Sequence, residues 1–212
     1  MEIWKIGGEA RDCGDAAARW VTEAAGARKQ LRLVRFERTL APRMANDQAS
    51  WGTESGKPVY PEGTRLAFAD SAHAHVLSVK SLKDLNRRLP QDVGARRFRA
   101  NIVVDGTDEP YEEDLWKTFK IGDNPITTSR LCSRCGIANI DPAEAKMNTK
   151  HVDPLKELRK YRLHTHLHNV DERHGEAPVF GTKACFDETR GVIKQGDTLS
   201  VLAYRDDGDR PF

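Results

Sequence analysis

The sequence predicts a mixed α/β domain: a curled, barrel-like sheet with helices at its periphery. Three observations carry this. The chain has 212 residues, enough for one domain with a substantial core and no need of disulfide or metal staples. Stretches with strand-like alternation outnumber helical ones. Several of those strands also lie close enough in sequence to pair across short turns.

The elements follow in order. EIWKIGG reads as a short strand that starts at residue 2. CGDAAARWVTEAAGA reads as a helix with Asp15 as N-cap and Gly26 as its stop, and Trp20, Val21 and Ala24 share one face. LRLVRFE, residues 31–37, alternates as a strand does. Residues 38–65 lack periodicity and carry Pro42, Gly52, Gly56, Pro58, Pro61 and Gly63, so a long loop is expected. TRLAFAD, residues 64–70, is a strand ending in a polar turn, and HVLSV follows it. KSLKDLNRRLP is a helix capped by Ser81, with Leu82, Leu85 and Leu89 inward, stopping before Pro90.

RFRANIVVDG, residues 97–106, has the clearest strand pattern. Phe98, Ala100, Ile102 and Val104 face one way and Arg99, Asn101 and Val103 the other. DLWKTFKIGDNPITTSRL holds two strands about Gly122-Asp123. DPLKELRKYR, residues 153–162, is a helix with Asp153 as cap and Pro154 at its first position. GVIKQGDTLSVLAY closes the chain as a hairpin about Gly196-Asp197. No internal repeat or low-complexity tract interrupts the series.

Composition narrows the function classes. Thirty-four basic and 32 acidic residues leave a formal charge of +2, which gives no reason to expect nucleic-acid or membrane-surface binding. The longest apolar runs are as short as IVV at 102–104, so no membrane segment is expected. The first residues carry acids and no apolar core, unlike a secretory signal. The cysteines, Cys13, Cys132, Cys135 and Cys185, are unevenly spaced and do not form a secreted disulfide framework. An intracellular location is expected, cytoplasmic or mitochondrial.

CSRC, residues 132–135, is the motif with chemical content, and its spacing leaves several readings open. Structural zinc needs a second half-site; LHTHLH at 163–168 offers His164, His166 and His168, but the second CxxC is missing. Thiol–disulfide exchange favours a helix after the pair, and GIANIDP does not read as one. Two reduced loop cysteines, one of them buried, are the bland alternative. Alternatively one thiolate completes the coordination of a metal whose other ligands belong to a cofactor. Arg134 then neutralises an anionic group beside the metal, Arg99 suits a phosphate and Asn101 a heterocycle edge. The Asp70-Ser71 turn offers backbone N–H groups and short polar side chains.

Taken together, RDCGDAAARWV, FADSAHAHVLSVKSLKDLNRRL, RRFRANIVVDG, PYEEDLWKTFKIG, CSRCGIANIDP, DPLKELRKYR, PVFG and GVIKQGDTLSVL resemble the MOSC family, named for the molybdenum cofactor sulfurase C-terminal domain. The resemblance is nearest to the branch with the mitochondrial amidoxime-reducing component and fungal MOSC proteins. It implies a MOSC-type β-barrel-like fold over residues 1–212 that binds the molybdenum cofactor, Mo-molybdopterin. By the family pattern Cys135 is the molybdenum ligand. Ser133 and Arg134 contact the pterin, and Asp70, Ser71, Arg99 and Asn101 line the same pocket. Cys135 and Asp70 are the candidate catalytic residues.

The resemblance further implies an oxidoreductase reducing N-hydroxylated compounds, with a b-type cytochrome and its flavin reductase as partners. A non-catalytic carrier or sulfuration platform is the alternative, without pyridoxal phosphate. Relatives in this branch carry a small β-rich domain before the region seen here, and this chain is expected to lack most of it. His73 stands where the family often has proline, and Lys183, after FG, carries only a weak assignment.

Overall fold

A computed structural model describes residues 2–3, 6–37, 39–45, 53–54, 57–58, 60–147, 151–163, 177–186 and 191–205. Its centre is a curled six-strand half-barrel sheet. The strands are β1 (Ala74–Ser78), β2 (Ile102–Val104), β3 (Trp116–Ile121), β4 (Asn124–Ser133), β5 (Val179–Phe186) and β6 (Leu199–Tyr204). Their spatial order is β2-β1-β5-β4-β3-β6. β1 and β2 run parallel, and every other neighbouring pair is antiparallel. The helices are α1 (Asp15–Ala24), α2 (Val79–Asn86) and α3 (Pro154–Arg159).

β1 is buried along its whole length because it faces two cores. Val76 joins Trp116, Phe119, Ile121, Ile126 and Ala184 on one side. Leu77 joins Leu85, Phe98, Leu155, Leu158 and Phe180 on the other, beneath α2 and α3. Burial on both faces explains why HVLSV is apolar without a clean alternation. In β3 the ladder to β6 slips between Trp116 and Phe119. That irregularity lets residues three apart reach the same core, against the strand period of two. Gly181 of β5 has φ 74°, and a Cβ there would lie 2.4 Å from His75 Nε2 and 2.5 Å from the Val76 carbonyl oxygen. Only glycine fits this crossing of β5 over β1.

Local signals placed several elements well. The β3–β4 hairpin turns at Gly122-Asp123. Asp153 caps α3 by accepting from the Lys156 N–H, with Pro154 in the first turn. Gly26 follows the end of α1.

Other expectations are corrected. EIWKIGG forms two paired two-residue strands, Glu2–Ile3 and Ile6–Gly7. α1 is capped at Gly14, with Asp15 already helical. Trp20 is 66% exposed and Ala18 is the buried contact. Residues 31–37 and 64–70 shrink to Val34–Arg35 and Arg65–Leu66. Within the expected loop 38–65, Arg43–Met44 pairs with Arg65–Leu66 and Thr53–Glu54 with Lys57–Pro58. Ser78, not Ser81, caps α2, because the Ser78 hydroxyl takes the Ser81 N–H. Residues 95–98 form a 3-10 turn and Arg99 is left-handed at φ 56°, so the strand expected over 97–106 narrows to Ile102–Val104. Gly196-Asp197 is a turn, but its β6 pairs with β3 and not across that turn. A four-residue 3-10 helix, Gly136–Asn139, follows Cys135.

Candidate functional site

β4 delivers the CSRC segment. Its ladder with β5 slips between Thr128 and Leu131 and again before Ser133. The slips cancel the in–out alternation, so Ser129, Arg130, Leu131 and Cys132 are buried in succession. Arg130, only 1% exposed, is thereby turned into the interior. The strand ends at Ser133, and Cys135 is exposed at the cap of the following 3-10 helix. The two cysteines are therefore unequal: Cys132 is buried and Cys135 faces solvent. Arg134 is fixed between them. Its Nη1 donates to Cys132 Sγ at 2.8 Å and its Nη2 to the Phe98 carbonyl at 2.6 Å. Its guanidinium lies 5.7 Å from the Phe98 ring centre. Its buried Nε has no hydrogen-bond partner among the described residues.

Three more cations converge on the turn before β1. Arg43, 1% exposed, donates Nη1 to the Ala69 carbonyl at 2.9 Å. Its Nε and Nη2 have no hydrogen-bond partner among the described residues. The backbone beside it is Gly8, where a Cβ would come within 2.9 Å of Arg43 Cγ. Lys183 of β5 donates to the Ser71 hydroxyl at 2.6 Å. Burial pushes the Lys183 pKa down; Cys132 and Asp70 oppose that, while Arg130 and Arg134 add to it. Burial also lowers the Arg43 pKa, again opposed by Asp70. Arg43, Arg130, Arg134 and Lys183 thus share one region with the Asp70 carboxylate. Buried charge is costly unless it meets an opposite charge, and an anion with several acceptor oxygens would suit this excess of cations.

The surroundings are neutral and rigid. Burial pushes the Tyr60 hydroxyl up to about 12, and the neighbouring Arg130 works against that shift. Burial, with Arg134 and Lys183 nearby, holds His75 down at about 3, so it is uncharged at neutral pH. His73 stitches the turn to the sheet: Nδ1 accepts the Phe186 N–H at 3.0 Å and Nε2 donates to the Arg65 carbonyl at 2.7 Å.

Of the residues singled out in the sequence, Asp70, Ser71, Ser133, Arg134 and Cys135 lie on the two segments that form this region. Arg99 is exposed, one residue beyond the carbonyl that Arg134 grips. The Asn101 side-chain oxygen accepts the His75 N–H at 2.9 Å, so it holds β1 beside the site. Asn101 also lines a cleft of about 830 Å³ between the edge strands β2 and β6. Sequence reasoning missed Arg43 and Arg130. The signal for Arg130 was an arginine inside the strand ITTSRLC; Arg43 lay in a stretch with no periodicity. Among the described residues no group of three His, Cys, Asp or Glu side chains could hold a metal. His164, His166 and His168 lie outside the described residues. No described helix is long and apolar enough to cross a membrane.

Comparison with known proteins gives consistent relatives. The MOSC domain model matches residues 63–200. The chain is 36% identical over 196 residues to mitochondrial amidoxime-reducing component 1 of Homo sapiens, covering 92% of this chain and 53% of the relative. It is 33% identical over 189 residues to mitochondrial amidoxime reducing component 2 of Rattus norvegicus, covering 89% and 52%. It is 36% identical over 154 residues to molybdenum cofactor sulfurase of Arabidopsis thaliana, covering 68% and 18%. The chain spans about half the length of the amidoxime-reducing relatives it matches. The match over residues 63–200 includes the whole six-strand sheet apart from the last residues of β6, and the chain belongs to the MOSC domain family.

Proposed function

We propose that the chain binds the molybdenum cofactor and serves as an oxidoreductase that reduces N-hydroxylated substrates. The observation that carries this is the cationic cradle, buried Arg43 and Arg130 with half-buried Lys183 and Arg134, beside an exposed cysteine on the same turn as Arg134. The donor set fits the group. Guanidinium and ammonium groups suit a phosphate and pterin oxygens, and the N–H groups of Arg43 and Arg134 that have no partner among the described residues suit the acceptors such a ligand would bring. A soft thiolate suits molybdenum, and Cys135 is the solvent-facing one.

In this reading Cys135 holds the metal, and Ser133 and Arg134 hold the pterin. Lys183, Arg43 and Arg130 hold the phosphate end, and Ser71, Arg99 and Asn101 frame the pocket. When bound, the cofactor supplies the two-electron redox centre. The overall change is balanced: two electrons and two protons cleave the N–O bond and give the N–H product and water. Asp70 lies exposed at the rim, and neutral His75 and Tyr60 keep the floor uncharged. Electrons come from a small b-type cytochrome and its flavin reductase.

The likeness to molybdenum cofactor sulfurase favours a second reading, a carrier or sulfuration platform without turnover. Benzamidoxime reduction by the cofactor-loaded protein, with a reconstituted b-type cytochrome and flavin reductase, separates the two. Turnover that needs molybdenum supports the enzyme. Stoichiometric cofactor without turnover supports the carrier. Absence of both molybdenum and pterin, from a host that makes the cofactor, ends both readings.

A further inference from the structure

A line of aromatic rings runs from the cofactor cradle to the opposite face of the α2–α3 pair. The Arg134 guanidinium lies 5.7 Å from the Phe98 ring centre, and Phe98 lies 4.5 Å from Phe180. Phe180 lies 6.3 Å from Tyr111, and Tyr111 lies 6.2 Å from Tyr161. The Tyr111 hydroxyl donates to Asp84 at 2.7 Å and lies 3.0 Å from the Tyr161 hydroxyl. Tyr161 is half-buried and capped at the surface by Arg88, whose guanidinium lies 4.2 Å from its ring centre. π-Systems in contact shorten the through-space gaps an electron must cross, which saturated side chains in the same positions would not do.

The face where this line surfaces is basic. Lys83, Arg87 and Arg88 of α2 and its C-terminal turn, and Lys156 and Arg159 of α3 with Lys160 at its C-cap, are all exposed. The carboxylates among them are recessed: half-buried Asp84 meets Arg88 at 3.2 Å, and half-buried Glu157 meets Lys160 at 2.5 Å. The outer layer is therefore cationic, on a chain whose formal charge is only +2. Concentrated charge of one sign steers and orients a partner of the other sign.

We infer that the α2–α3 face is the docking surface for the electron donor, a one-electron carrier protein with an acidic surface around its redox group. This rests on the oxidoreductase reading above. Each docking passes one electron; two dockings supply the pair that cleaves one substrate N–O bond, with both protons from solvent. Arg88 and Tyr161 mark the centre of the footprint, with Arg87 and Arg159 at its rim.

The test uses the cofactor-loaded protein and a soluble b-type cytochrome whose haem edge is ringed by carboxylates. Arg87→Glu/Arg159→Glu reverses two exposed charges outside the cradle. Arg28→Glu/Lys29→Glu makes the same charge change on another exposed segment. The expected result is a rise of about tenfold or more in the cytochrome Kd by calorimetry and in its KM, for the first pair only. The dependence of that KM on salt should also flatten. Reduction of benzamidoxime driven by dithionite, which needs no docking, should be unchanged in both variants. If wild type is active with dithionite and the first pair keeps its cytochrome affinity, the docking face is wrong. An equal rise in both pairs also overturns it, since net charge alone is then at work. A loaded wild type that is inactive with dithionite overturns the oxidoreductase reading itself, and this inference with it.

Discussion

Two buried polar regions flank the same sheet, and they are finished differently. Under α2, Glu113 is fully buried, and its carboxylate accepts the Ser78 N–H at 3.1 Å and the Ser81 hydroxyl at 3.0 Å. Ser81 in turn takes the Tyr111 N–H at 2.7 Å, and beside it buried Arg162 pairs with Asp114. Opposite charges meet inside that network. In the cradle, four cations lie around the Asp70 carboxylate, and N–H groups of Arg43 and Arg134 have no hydrogen-bond partner among the described residues. Burial pulls the Arg162 pKa down, but Asp114 overrides it and the net shift is upward; the net shift of Lys183 is downward. Paired opposite charges hold the fold together, whereas a region with an excess of cations suits an anionic ligand.

The largest contrast is chemical. Cys135→Ser replaces a soft, exposed thiolate with a hydroxyl and should abolish turnover. Cys132→Ser keeps an acceptor for Arg134 and should keep most activity, measured as benzamidoxime reduction. Equal loss in both variants would point to paired cysteines acting together.

Next comes stability. Asp114→Ala strands Arg162 in the interior and should cost about 3–5 kcal/mol in urea unfolding of the cofactor-free protein. Lys183→Met should act in the opposite direction. It removes an unfavourably placed cation, so the cofactor-free protein should unfold no earlier than wild type. Cofactor affinity should fall by about 1.5–3 kcal/mol, roughly 10- to 150-fold, through the lost charge-assisted bond. A Lys183→Met protein that loses stability yet keeps its cofactor would show that the cradle is structural.

The pH response follows from His75. Its folded pKa, about 3, lies below the ordinary 6.5, so the unfolded chain binds the extra proton between those values. Stability should fall as the pH drops from about 6.5 toward 3, with His75→Gln flattening that part of the curve. An unchanged slope in His75→Gln would assign the loss to other groups. Arg99 should give the smallest effect. It is exposed, and an exposed ion pair contributes about 0–1 kcal/mol, so Arg99→Ala should weaken cofactor binding by no more than about fivefold. Arg99→Gly should stabilise the fold slightly by relieving the left-handed backbone. A loss of tenfold or more on Arg99→Ala would put it in direct contact with the phosphate.

The two regions were not equally legible in the sequence. Asp153-Pro154 and the turn at Gly122-Asp123 carry their instructions within a few residues, and α3 and the β3–β4 hairpin appear where those signals put them. The 97–106 stretch alternates well, yet the Phe98 side chain belongs to the core under α2 and Ile102 to the other face of the sheet. The chain turns through Arg99 to serve both, which periodicity cannot register. The cradle was half legible. Its CSRC and Asp70-Ser71 segments stood out, and Lys183 was marked weakly. Arg43 reaches the Ala69 carbonyl across 26 residues, and Arg130 turns inward only because β4 slips against β5. Long-range contact and ladder irregularity leave no local pattern to read.

X-ray absorption at the molybdenum edge, on protein from a host that makes the cofactor, tests the central claim most directly. The account predicts molybdenum at one per chain. Its sulfur count should drop by one in Cys135→Ser and stay the same in Cys132→Ser, and the Lys183→Met protein should carry less metal with an unaltered edge. A count that falls in Cys132→Ser and holds in Cys135→Ser, or wild-type protein with no molybdenum, would contradict it.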